Sequence, residues 1–113
     1  MRLSLIAGNW KMNTTVNEAV ALVHKIRPGL EEIDGVSKVI CPPFISLAVV
    51  YGLIKGSSIK LGAQNMYFED KGAYTGEVSP MMLAELCQFV IIGHSERRQY
   101  FGESGEIINK KVR

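Results

Sequence analysis

Three short clusters in this 113-residue sequence place side chains able to do polar chemistry directly after apolar runs. Asn9-Trp10-Lys11 sets an amide two positions before a primary amine. The compact charge of Lys11 suits a phosphate or a developing oxyanion, and equally suits plain solvation on a loop. Asn9 can present its amide to a ligand oxygen or shape a turn. Gln64-Asn65 is a second amide pair; Gln64 is also placed to satisfy backbone groups beneath the polar stretch that follows. His94-Ser95-Glu96-Arg97-Arg98 is the third cluster. His94 can donate a hydrogen bond or shuttle a proton, or serve structure alone. Glu96 is a candidate acid or base, but the arginines beside it favour an ion-paired network that shapes the loop. None of these residues identifies a function alone.

The composition narrows the partners. Lys and Arg total 13 against 11 Asp and Glu, a formal charge of +2, which argues for neither nucleic acid nor a membrane surface. A phosphorylated small molecule needs only a local positive charge and stays compatible. The two cysteines, Cys41 and Cys87, form no CxxC pair and sit near no histidine at metal spacing. They read as reduced core thiols, with no metal site. No run approaches the ~20 apolar residues of a membrane helix. The apolar opening is broken at once by Asn9, Trp10 and Lys11, unlike a secretion signal. The expectation is a soluble, cytoplasmic, single-domain chain across 1–113.

The elements that would position the clusters follow from hydrophobic periodicity. Leu3 to Ala7 is a continuous apolar run, the pattern of a strand buried on both faces. Thr15 and Glu18 form a possible capping box for a helix whose apolar side is Val16, Ala19, Val20, Val23 and Ile26, with Glu18, Lys25 and Arg27 opposite and Pro28-Gly29 as its limit. Val36 to Cys41 is a second strand stopped by Pro42-Pro43. Ser46 is positioned to cap a second helix reaching Tyr51 or Ile54, and Ile59 to Ala63 is the third strand. Gln64 to Glu77 has no period and reads as a functional loop. Ser79-Pro80 caps a short helix over Met81 to Leu86, Phe89 to Ile92 is a fourth strand, and a last helix opens at Glu106. Alternating strands and helices predict an α/β fold with a parallel sheet. Ligands bind such folds beyond the carboxyl ends of the strands, where all three clusters fall.

Taken in order, Ala7-Gly8-Asn9-Trp10-Lys11-Met12-Asn13, Gly62-Ala63-Gln64-Asn65, Gly72-Ala73-Tyr74-Thr75-Gly76-Glu77-Val78-Ser79 and Ile92-Gly93-His94-Ser95-Glu96-Arg97-Arg98 resemble successive motifs of the triosephosphate isomerases. The resemblance implies a (β/α)4 half of a (β/α)8 TIM barrel, ending within the fourth helix, from an enzyme that interconverts dihydroxyacetone phosphate and glyceraldehyde 3-phosphate without cofactor or metal. Triosephosphate isomerases are themselves the usual example of a glutamate base paired with a neutral histidine electrophile. Carried over by motif, His94 is the electrophile, Lys11 and Asn9 contact substrate, and Glu96 stands beside Lys11 in the site. Thr75 matches the tip of a loop that enters a neighbouring subunit. Glu77 and Arg98 resemble its supporting pair, and Gln64 belongs to the same interface.

The family barrel has eight strands and about 250 residues, and its glutamate base follows the sixth strand. The chain alone is therefore expected to be inactive, and to expose its first and fourth strands as edges that seek a complementary C-terminal half or another copy. A non-catalytic half-barrel module and a phosphate-binding module are the competing readings.

Overall fold

The computed structural model describes residues 4–92. Within them the order is β1 (Ser4–Asn9), α1 (Val16–Glu31), β2 (Val36–Cys41), α2 (Leu47–Ile54), β3 (Ile59–Ala63), α3 (Pro80–Ala84) and β4 (Phe89–Val90), with a single 3-10 turn at Phe44–Ser46. The expected last helix lies outside the described residues.

The strands form one sheet in the order β1-β2-β3-β4, each pair parallel. Register runs Ala7↔Val39 between β1 and β2, Ile40↔Leu61 between β2 and β3, and Gly62↔Phe89 between β3 and β4. Alternation then gives the sheet two faces. Ile40, Ile59, Leu61 and Ala63 face the helices and join Ala19, Val23, Leu47, Val50, Ile54 and Leu83 in one core. Val39 and Cys41 are buried on the other face, where they meet Gly62. A Cβ on Gly62 would lie 2.7 Å from Cys41 Sγ and 3.1 Å from Val39 Cγ1, so the close approach of β2 and β3 demands glycine there.

Helix α1 starts as the sequence predicts. Thr15 Oγ1 accepts from the Glu18 amide at 3.2 Å, and the Glu18 carboxylate accepts from the Thr15 amide at 2.9 Å. The Thr15 amide first, and then the Thr15 side chain, hold the Glu18 carboxyl below its ordinary pKa. Its end differs from expectation: α1 passes through Pro28 to Glu31. The reason lies on β2. Lys38, only 5% exposed, donates from Nζ to Leu30 O at 2.7 Å, Ile33 O at 2.8 Å and Ser58 Oγ at 2.9 Å. Its ammonium joins the Ile33 amide on the Leu30 carbonyl at the end of the helix, and its charge there complements the helix dipole. Arg27, expected on the polar side, is half-buried and donates to Leu53 O at 2.8 Å, tying α1 to α2.

Other boundaries shift for local reasons. Ser46 does not cap α2 with its side chain: it sits in helical conformation at φ −104°, ψ −4°, and its buried hydroxyl has no hydrogen-bond partner among the described residues. The 3-10 turn instead closes this corner, with the Ser46 amide donating to Pro43 O at 3.0 Å. Helix α3 starts at Pro80, with Ser79 Oγ accepting from the Met82 amide at 3.2 Å, and ends at Ala84, short of the expected Leu86. Strand β4 covers Phe89–Val90, short of Ile92, though the Ile91 amide still donates to Ala63 O at 2.8 Å. Strand β1 runs Ser4–Asn9 and is not buried on both faces. Leu5 and Ile6, on opposite faces of the strand, are 52% and 55% exposed, and among the described residues β1 pairs with β2 alone.

Candidate active site

The carboxyl ends of β1, β2 and β3 gather Asn9, Lys11, Cys41 and Gln64. Hydrogen bonds among them fix the backbone that carries Lys11. The Trp10 amide donates to Cys41 O at 3.1 Å, continuing the β1–β2 ladder past the strand. The Lys11 amide donates to Asn9 Oδ1 at 2.9 Å. Gln64 Nε2 donates to Lys11 O and to Cys41 O, each at 2.9 Å, and so joins the ends of three strands. Asn13 Nδ2 donates to Trp10 O at 2.8 Å. Every backbone polar group of the Trp10–Lys11 dipeptide is thereby engaged.

That engagement has work to do. Lys11 has φ +57°, the left-handed region, which costs a non-glycine residue roughly 1–2 kcal/mol. Thr14, three residues on, is also left-handed at φ +76°. The tethers hold Lys11 in this conformation, exposed at the rim, while Trp10 packs its indole against the core. The result is an amine on a rigid base at the end of a parallel sheet.

The other predicted residues divide. Gln64 does join the rim, through backbone carbonyls. Thr75 and Glu77 lie exposed on the loop between β3 and α3. That loop builds its own small packing unit: Tyr67 stacks on Phe68 at 4.2 Å between ring centroids and meets Tyr74 at 4.6 Å. The Tyr67 amide donates to Val78 O at 2.7 Å and closes the base of the loop. His94, Glu96 and Arg98 lie outside the described residues. Sequence reasoning missed the tether from Asn13; the one available signal was the ability of asparagine side chains to bond nearby backbone.

Cys41 and Cys87 are free thiols, and burial pushes both above the ordinary thiol pKa, Cys87 to about 11. Among the described residues no cluster of His, Cys, Asp and Glu could hold a metal ion. Nor is any described helix long and apolar enough to cross a membrane. A cavity of about 140 Å3 opens at the amino end of β3, lined by Lys55, Ser57, Lys60 and Gln88 among others. It contains none of the rim residues.

A parallel sheet with helices on one face and a lysine-bearing rim at its strand ends defines a barrel-type α/β protein, the class whose active sites occupy that rim. Known structures agree. The fold superposes with a TM-score of 0.90 on the crystal structure of triosephosphate isomerase from Bartonella henselae, at 41% identity, over 98% of this chain and 46% of that one. The four strands are accordingly a curled half-barrel. The triosephosphate isomerase family profile matches residues 4–113. Triosephosphate isomerases from Dehalococcoides mccartyi strain BAV1 and Chloroflexus aurantiacus are 61% and 56% identical over the whole chain. The chain belongs to the triosephosphate isomerase family, and it spans about half the length of the curated relatives it matches, 45% in the first of these.

Proposed function

We propose that this chain is the N-terminal half of a triosephosphate isomerase and supplies part of its active site for interconverting dihydroxyacetone phosphate and glyceraldehyde 3-phosphate. The observation that carries this reading is the tethered, left-handed Lys11 at the strand ends of a half-barrel whose sequence belongs to that family. In this proposal Lys11 stabilises negative charge on the substrate phosphate and on the enediolate, and Asn9 contacts the substrate. His94 polarises the carbonyl and moves protons between the two oxygens, and Glu96 stands beside Lys11. No cofactor enters. The setting is cytoplasmic, and Thr75, Glu77, Arg98 and Gln64 serve an interface with a second subunit.

The same chemistry assigns inactivity to the 113-residue chain alone. Removal of a proton α to a carbonyl calls for a positioned base, worth about 10²–10⁴-fold, and the family's base follows the sixth strand. An exposed rim also leaves Lys11 screened by water. The half-exposed Leu5 and Ile6 on β1 support a need for a complementary half or another copy.

Two coupled assays with dihydroxyacetone phosphate test the reading. A full-length barrel containing this chain should turn over, and the separate chain should not until the complementary half is added. An inactive full-length barrel would refute the isomerase assignment. Turnover by the purified chain alone, near that of the barrel, would refute the assignment of the base.

A further inference from the structure

We infer that Asn13 is a positioning residue for Lys11, acting through the Trp10 carbonyl; this rests on the isomerase reading above. Three of the four tethers on the Trp10–Lys11 backbone come from strand ends: Cys41 O on β2, Asn9 Oδ1 on β1 and Gln64 Nε2 after β3. All three pull the dipeptide toward the sheet. The fourth comes from beyond the lysine. Asn13 reaches back from the approach to α1 and donates to Trp10 O at 2.8 Å, closing a loop around Lys11. With that bond made, the segment cannot unwind toward α1 without breaking a contact on each side of the lysine.

The chemistry of position 13 separates this role from ordinary support. Asn13 is exposed, so its loss opens no cavity in the core. The freed Trp10 carbonyl can bond water in place of the amide. Folding therefore loses little, whereas the left-handed Lys11 backbone loses the tether that lies on its far side and can relax toward the commoner right-handed region. An amine that has shifted with its backbone meets the substrate's negative charge poorly in the transition state, where the demand on geometry is greatest.

The test is a double-mutant cycle in the full-length barrel. Asn13→Ala and Asn13→Leu, which differ in size but both lack the donor, should each lower kcat/KM by about ten- to a hundredfold, the scale of a misplaced catalytic group. In a Lys11→Ala background the same changes should cost less than about twofold, because the residue they act through is gone. Equal losses in both backgrounds would overturn the proposal, as would no loss in either. A structure of the Asn13→Ala barrel gives a second readout, independent of turnover. Lys11 should leave its left-handed φ; a lysine still at that angle and in place would also overturn the role. Should the unmodified barrel show no turnover, the isomerase assignment fails, and the backbone angle alone then decides whether Asn13 positions Lys11.

Discussion

Replacing Lys38 by methionine sets two large terms against each other. Methionine keeps most of the side-chain volume and avoids desolvating the ammonium of a residue that is only 5% exposed. Trading a buried charge for an apolar side chain is often neutral or even stabilising. Against that stands the loss of three hydrogen bonds, to Leu30 O, Ile33 O and Ser58 Oγ. Bonds to a charged donor contribute about 1.5–3 kcal/mol each, although water can reach some of the orphaned acceptors near the end of α1. Ser58 also keeps a second partner, its hydroxyl lying 3.2 Å from Glu31 Oε1. Leu30 O likewise keeps the Ile33 amide at 3.2 Å, so counting each bond at a fraction and crediting methionine for the avoided desolvation, the net loss is about 1–3 kcal/mol. In a barrel of family size that corresponds to a fall of roughly 2–12 °C in thermal midpoint by circular dichroism. Hydrogen exchange should localise the damage, with amides in the last turn of α1 losing protection before those of β3. An unchanged or raised midpoint would refute the reasoning, because the desolvation of the ammonium would then outweigh everything it binds.

Other substitutions and conditions probe separate contacts. Gly62→Ala forces a Cβ to within 2.7 Å of Cys41 Sγ and should cost about 1–3 kcal/mol, with Cys41→Ala recovering part of the loss in the double variant; purely additive losses by urea titration would contradict the close approach. Peptide-resolved alkylation near neutral pH should find Cys41 and Cys87 almost unmodified in the native protein and fully modified in denaturant, since burial holds both thiols protonated and Cys87 is pushed up to about 11; rapid native labelling would refute this. The Glu31 carboxyl is held below its ordinary pKa, first by the Ser58 amide that donates to it at 2.9 Å. Its folded value lies below its unfolded one, so its contribution to stability is present above the ordinary glutamate range and is lost as pH falls through the lowered value. Glu31→Gln should therefore flatten the acid side of the stability profile, and a profile parallel to the parent's would exclude the contribution.

How much of this was legible in the sequence depended on how far each cause lies from its effect. The bounds of β2 and β3 were readable because compact apolar runs meet Pro42-Pro43 on one side and polar residues on the other. The Thr15–Glu18 capping box was readable because both partners sit within one helical turn. Pro28 misled for the opposite reason. What holds the last turn of α1 is Lys38, a residue of the next strand whose charge gives no hint that it faces inward. Ser46 has the composition of a cap, but the 3-10 turn before it had already set its backbone. At the candidate site, the place of Asn9 at the end of β1, and of Lys11 beyond it, is readable from the apolar run that precedes them. The bond from Gln64 to the Lys11 carbonyl spans 53 positions and appears only once β3 is laid two strands away from β1. The openness of β1 was foreseen as an edge, but its apolar run alone reads as a buried strand; exposure is set by neighbours that a local pattern does not contain.

Trp10 is the single tryptophan of this chain, and it stands between two demands: its indole packs on the core while its backbone is the first part of the lysine tether. That makes it a native optical reporter. In the separate chain all tryptophan emission comes from the rim, so its wavelength and its quenching by iodide read out whether the lysine-bearing loop is seated, with no label attached. Followed during mixing with a complementary half, the same signal would order two events in time, the closing of the barrel wall and the seating of the loop on it.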